Sequence, residues 1–80
     1  MNDVFERFMK KNEALKHVEP ECFAYFEEDQ NQTYIVYTRT RTFVYEFCAG
    51  VLDNMYTCKP GSYMLPDPIK CDQFLYQRVW

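Results

Sequence analysis

The 80 residues include four cysteines and one histidine, so the first chemistry to consider is the binding of a metal ion such as zinc through sulfur and imidazole ligands. Structural zinc sites bring cysteines in close pairs, since one tight turn then presents two sulfurs to the same ion. Here successive cysteines lie ten or more positions apart. The spacing therefore predicts free, buried thiols rather than a metal site. The residues concerned are Cys22, Cys48, Cys58, Cys71 and His17.

Nucleophilic catalysis needs a nucleophile, a base and an orienting group. The single histidine, His17, falls near the end of a predicted helix, where its charge suits the helix dipole. The single serine, Ser62, follows a Pro-Gly turn and lacks the G-x-S-x-G surroundings of a nucleophile elbow. Neither Gly50 nor Gly61 begins a glycine-rich phosphate loop. We therefore expect no catalytic residue, no metal and no cofactor.

A run of carboxylates, Glu27, Glu28 and Asp29, could in principle do acid-base work. Adjacent residues of a strand point to opposite faces, and this run leads into a polar turn, so we expect a solvated hairpin tip. Glu19 and Glu21 extend the acidic segment. Such a segment can also occupy a basic cleft on a partner, because carboxylates are ligands for Lys and Arg.

Arginines interleaved with aromatic residues form the most informative pattern. Residues 38–42 place Arg39 and Arg41 between segments that carry several rings. This composition is typical of protein interfaces, and also of proteins that bind single-stranded nucleic acid. In a third interpretation the arginines only pair with glutamates across the sheet. The glutamates in question are Glu27, Glu28 and Glu46. The net charge of −3 disfavours nucleic acid.

The C-terminal residues 72–80 alternate in character and predict a last strand. At the edge of a sheet this strand would offer backbone hydrogen bonds together with large side chains for pairing with a partner or a second copy. Alternatively, Trp80 fills the core. The contact residues predicted for a protein partner are Tyr37, Arg39, Arg41, Tyr76, Arg78 and Trp80.

A helix over residues 3–18 is predicted by an apolar stripe that recurs with the helical period. Pro20 prevents its continuation. Residues 22–28 and 33–39 are rich in aromatic and β-branched types around the polar run 29–32, which predicts a hairpin. One face of this hairpin should pack on the helix, and the other should be partly exposed.

The apolar residues within 42–56 are spaced in a way that fits both a helix and a strand. A continuous helix aligns seven apolar positions, whereas a strand over 42–48 followed by a turn agrees with the β-propensity and with Gly50. Both interpretations stay open. Lys59-Pro60-Gly61 predicts a turn, which would join short strands at 55–58 and 62–65.

The composition, 48% hydrophobic and 19% aromatic, predicts a folded chain, and the length predicts one domain over residues 1–80. We expect the α+β class: an N-terminal helix packed on a small antiparallel sheet, with a second helix at about 42–56 as the alternative. The charged N-terminus has no apolar signal segment, and no apolar run reaches about 18 residues. We therefore expect a cytoplasmic protein that does not enter a membrane.

The sequence offers no catalytic or metal-binding set of residues, but it has arginines interleaved with aromatic residues. This combination favours a non-enzymatic protein-binding module, such as a small inhibitor or adaptor that docks on a larger protein. Small size and acidity suggest a phage or mobile element as the source. The alternatives are a single-stranded nucleic-acid binder that uses the same arginines and rings, and a structural homodimer. Salt dependence separates the nucleic-acid alternative from the others, because phosphate-driven binding weakens steeply with salt.

Overall fold

The computed structural model describes residues 3–79. Helix α1 comes first and is followed by five strands, with short 3₁₀ turns at Glu13–Leu15 and Pro68–Lys70. The elements are α1 (Asp3–Lys11), β1 (Cys22–Glu28), β2 (Asn31–Tyr37), β3 (Thr42–Cys48), β4 (Val51–Cys58) and β5 (Gln73–Arg78). No helix within residues 3–79 is long and apolar enough to cross a bilayer.

The five strands form one antiparallel sheet in the order β4-β3-β2-β1-β5. Strands β1 to β4 follow one another as hairpins, and β5 returns to pair with β1 at the far edge. This arrangement confirms the predicted fold class, a helix on an antiparallel sheet. It also confirms the C-terminal strand and the hairpin predicted for residues 22–28 and 33–39, although the second hairpin strand is Asn31–Tyr37, because the turn takes up only residues 29 and 30.

The aromatic residues of α1 pack on one face of the sheet. Phe8 is 6% exposed, and its ring stacks on Tyr34 at 4.4 Å between centroids. It also meets Tyr45 edge-on at 5.0 Å. Phe5 contacts the ring of Phe23 at 5.0 Å. Such pairs hold a helix of nine residues, which is too short to be stable alone in water.

The opposite face of the sheet is covered by an irregular segment. Residues 59–72 connect β4 at one edge to β5 at the other, so they must cross this face. Tyr63 and Leu65 pack there over Ala24, Ile35 and Val44, which are completely buried. The centre of this face is therefore a second core rather than a partly exposed surface.

Helix α1 ends at Lys11, so the predicted helix over residues 3–18 is wrong in its second half. Asn12 adopts an extended conformation with φ of −111°. Its side-chain Nδ2 donates to the carbonyl oxygen of Phe8 at 2.7 Å. In a continuing helix the backbone N–H of residue 12 would bond to that carbonyl. The asparagine side chain therefore replaces the backbone donor, and the chain can turn.

Residues 42–56 form two strands, so the alternative of a second helix over 42–56 is wrong. Ala49 and Gly50 have φ of 50° and 81°, which suits the two-residue turn between β3 and β4. The strand over 42–48 and the turn after it are confirmed. The seven apolar positions that fit a helix are divided between two neighbouring strands.

The turn at Lys59-Pro60-Gly61 is confirmed, because the amide of Ser62 donates to the carbonyl of Lys59 at 3.1 Å and Gly61 has φ of 77°. The short strand predicted for residues 62–65 is wrong. That segment crosses the sheet face instead of running along an edge. It therefore has no neighbouring strand with which to pair.

Candidate functional site

The sheet order brings five of the six predicted contact residues to one end of the molecule. Tyr37 and Arg78 are separated by 41 positions in the chain, yet both are opposite Cys22, from β2 and from β5 respectively. Arg39 and Arg41 lie directly beyond Tyr37, in the connection to β3. Trp80, the sixth residue, lies outside the described residues.

Two of these residues, Tyr37 and Tyr76, contact each other. Their ring centroids are 6.2 Å apart at an interplanar angle of 54°. Burial, and then the neighbouring Tyr76, raise the pKa of Tyr37 to about 12. A hydrogen bond with the side chain of Cys22, followed by burial, raises the pKa of Tyr76. Both phenols are therefore neutral at physiological pH and present hydroxyl groups, and Tyr76 is 51% exposed.

The two arginines stand on a turn that is fixed by one threonine. The amide of Thr38 donates to the carbonyl of Arg41 at 2.9 Å, and its hydroxyl donates to the same oxygen at 2.8 Å. That hydroxyl also accepts from the amides of Arg41 at 3.0 Å and Thr40 at 3.3 Å. The backbone of the turn is therefore ordered before any partner binds, and ordering costs little on binding.

A groove of about 970 Å³ runs beside this turn. One wall is the turn itself, residues 38–41, and the other is the segment 17–21 that follows the helix. Three half-buried apolar side chains, Val18, Phe43 and Val79, lie between the walls. We call this feature the loop groove. Its volume is in the range of sites that hold several side chains or a small ligand.

Charges of both signs line the loop groove. Arg39, Arg41 and His17 supply the basic groups, and Glu19 and Glu21 supply carboxylates. Neither Arg39 nor Arg41 forms an ion pair with a carboxylate of residues 4–79. The guanidinium of Arg41 lies 6.0 Å from the ring centroid of Phe43. Both guanidinium groups are thus available to ligands that accept hydrogen bonds.

The predicted pairing of these arginines with glutamates is therefore wrong. Glu28 pairs with Asn31 beside the β1–β2 turn, whereas the arginines follow Tyr37 at the other end of β2. The length of a seven-residue strand, roughly 20 Å, separates the two groups. Glu46 accepts instead from the side-chain amide of Asn54 at 3.3 Å.

The predicted contact residues divide between the two faces of the sheet. Tyr37, Tyr76 and Arg78 belong to the face covered by the crossing segment, because directly opposite residues share a face. The loop groove instead opens on the helix side, where Phe43 and Val79 pack against the first core. The residues therefore form two neighbouring surfaces rather than a single strip.

The cysteines are free, and they are less buried than predicted. Cys48 is exposed beside the β3–β4 turn. Cys22 and Cys58 are half-buried at strand ends, and Cys71 is half-buried directly after the 3₁₀ turn Pro68–Lys70. Cys71 lies within 3.8 Å of the carboxylate of Glu28. Desolvation and this carboxylate raise the pKa of its thiol. The prediction that the thiols are buried is wrong, because the ends of strands and the turns beside them offer little cover.

Sequence analysis missed one surface, on strand β4. Its first seven residues are all exposed. Among them are Val51, Leu52, Met55 and Tyr56, with exposed fractions of 69%, 48%, 55% and 37%. In the helical interpretation Val51, Leu52 and Met55 belonged to the apolar stripe. Gly50 was the signal that could have placed them on a strand after a turn, but not one that could have shown this strand to be at the edge of the sheet.

His17 was also missed as a groove residue. The sequence placed it on the solvent side of a helix, but the chain leaves the helix at Asn12 and then bends toward the β2–β3 turn. Comparisons of the chain with protein-family models, with curated proteins and with solved structures give no match, so the arrangement of these residues carries the functional argument.

Proposed function

We propose that this protein is a non-enzymatic binding module that docks on a larger protein through the loop groove, as a small inhibitor or adaptor. The observation that carries the proposal is the pair of exposed guanidiniums of Arg39 and Arg41 on a hydrogen-bonded turn, without ion pairs to residues 4–79. Arginine on an ordered surface, next to apolar contact area, is typical of binding hot spots.

The groove defines the chemistry of the partner segment. Carboxylates on the partner would meet Arg39 and Arg41, and an apolar side chain would enter between Val18 and Phe43. Carboxylates suit guanidinium groups because they accept two parallel hydrogen bonds. The partner is therefore expected to present an acidic segment with at least one apolar anchor.

Single-stranded nucleic acid fits the same groove less well. Glu19 and Glu21 line the wall opposite the arginines and would repel the continuous row of phosphates of a strand, whereas a protein segment can place its carboxylates at the arginines alone. A phosphate-driven complex would lose affinity steeply with added salt, whereas a complex with an apolar anchor would lose little. We also propose a reducing, cytoplasmic setting, which is supported by four free thiols in one small chain.

The test combines capture with titration. Tagged wild-type protein and the variants Arg39→Gln and Arg41→Gln are used to capture partners from the native host. A protein retained by the wild type is then purified and titrated by calorimetry. Each variant should weaken binding by about tenfold or more, since loss of a hot-spot arginine costs over roughly 1 kcal/mol.

The matched control is Lys70→Gln, which also removes one exposed positive charge but lies on the 3₁₀ turn before β5. It should bind as the wild type does. Equal affinity of all four proteins for the captured partner would contradict the role of the loop groove. Circular dichroism should show that every variant keeps the fold.

A further inference from the structure

Strand β4 is the least protected part of the fold. It is the terminal strand of the sheet, so only one of its two edges is paired. Helix α1 packs over the central strands, and the crossing segment covers the middle of the other face. The apolar side chains of β4 are consequently exposed to solvent on both faces. Of the usual protections of an edge strand, β4 has a bulge at Asp53 and flanking charges, but its apolar residues are not covered.

The backbone of β4 presents hydrogen-bonding groups outward. In a hairpin with a two-residue turn, the flanking residues, here Cys48 and Val51, form a hydrogen-bonded pair. Hydrogen-bonded and non-hydrogen-bonded pairs alternate along β3, and the bulge at Glu46/Phe47 inserts one extra residue into β4. The backbone N–H and C=O groups of Asn54, Tyr56 and Cys58 therefore point toward β3. Residues 55 and 57 are left with their backbone groups on the outer edge.

The position of one amide agrees with this assignment. The backbone N–H of Met55 donates to the side-chain oxygen of Asn54 at 2.9 Å, so it is not used in the pairing with β3. An adjacent strand could take this donor together with the outward groups of Thr57. Each residue could exchange two hydrogen bonds with an antiparallel neighbour.

We propose that β4 pairs antiparallel with β4 of a second copy, in the register that sets Met55 opposite Thr57 and Asp53 opposite Lys59. Two copies would then share one continuous ten-stranded sheet. In this register the two Tyr56 residues are directly opposite each other on one face. Aromatic cross-strand pairs of this kind stabilise sheets.

The charges on β4 favour both a second copy of the chain as the partner and the proposed register of pairing. Asp53 and Lys59 are exposed, flank the paired segment, and have opposite charges, so the two-fold symmetric pairing forms two opposite-charge contacts. Moving the register so that Met55 faces Met55 sets Lys59 against Val51. Moving it the other way sets Lys59 against Met55. Only the proposed register matches each charge with its opposite.

The experiment is a charge swap read by sedimentation and light scattering over a range of protein concentrations. The wild type should change from 9.7 kDa to twice that mass as concentration rises. Asp53→Lys and Lys59→Asp each place like charges opposite each other twice. Each should raise the dissociation constant of the dimer by about tenfold or more.

Mixing the two variants is the decisive step. A copy with Asp53→Lys and a copy with Lys59→Asp restore both opposite-charge contacts when they pair with each other. The mixture should therefore dimerise as the wild type does, while each variant alone stays largely monomeric. Lys70→Asp, the matched control with the same change of charge, should leave the dimer unchanged.

Three results would overturn the proposal. A wild type that stays monomeric at every concentration would exclude the second copy. Variants that dimerise as tightly as the wild type would place self-association on another surface. A monomer that binds another protein only when Asp53 and Lys59 are both native would assign this edge to an extended segment of that protein instead.

Discussion

Replacement of Phe8 by alanine should destabilise the fold more than most single changes, because Phe8 joins the helix to the sheet. Its ring contacts those of Phe23, Tyr34 and Tyr45 at centroid distances of 6.1, 4.4 and 5.0 Å. The side chain is 6% exposed. Aromatic rings line the space that Phe8→Ala would leave, and rings change shape little, so they can fill it only in part.

The size of the effect follows from burial. Removing a buried phenylalanine costs about 3–5 kcal/mol, including the cavity. A chain of 80 residues has a free energy of unfolding of roughly 4–12 kcal/mol. Phe8→Ala should therefore remove between about a quarter and all of the stability. Phe8→Leu keeps most of the apolar volume and should cost roughly 1–2 kcal/mol.

The assay is urea denaturation followed by circular dichroism. Glu6→Ala is the control on the same helix, because Glu6 is exposed and should change the free energy of unfolding by less than about 0.5 kcal/mol. A cost below about 1 kcal/mol for Phe8→Ala would contradict this prediction. It would mean that the helix is not held on the sheet by this ring cluster.

Four further predictions concern the sheet. Gly50→Ala should cost about 1 kcal/mol in the same assay, because φ at this position is 81°. Thr42→Val should preserve or raise stability, since the fully buried Thr42 hydroxyl has no hydrogen-bond partner within the described residues; a loss above about 1 kcal/mol would contradict this. The phenol of Tyr37 has a pKa raised by burial from 10.0 to about 12, so its contribution to stability is complete below pH 10 and lost as pH rises through 12. Unfolding free energies measured across that range should fall less steeply for Tyr37→Phe. Finally, Cys48 should be alkylated first in the native protein, as read by mass spectrometry, because it is the exposed cysteine; uniform labelling would contradict its assignment.

The spacing of apolar residues along the chain was enough to predict which residues of the N-terminal segment are buried. The stripe with Phe5, Phe8 and Leu15 identified residues that are buried in the structure. It could not reveal that the helix stops at Asn12, because the stop depends on one side chain replacing a backbone donor. Any polar residue at that position would look the same in the pattern.

Strand order explains why the candidate surfaces were only partly predictable. Tyr37 and Tyr76 meet because β5 pairs with β1, and nothing local in either segment specifies that pairing. The exposure of Met55 has the same origin. It belongs to an apolar run that would be buried in a central strand, but β4 is at the edge of the sheet. Edge positions are set by the whole topology rather than by composition.

Docking through the loop groove is tested most directly by amide NMR spectra recorded while the purified partner is added. We expect the signals of residues 38–41 and 17–21 to shift or broaden together with that of Val79, while the signal of Lys70 stays unchanged. Arg39→Gln should reduce these changes at the same partner concentration, as expected for binding that is about tenfold weaker or more. Changes confined to other parts of the chain, with residues 38–41 unaffected, would contradict the account.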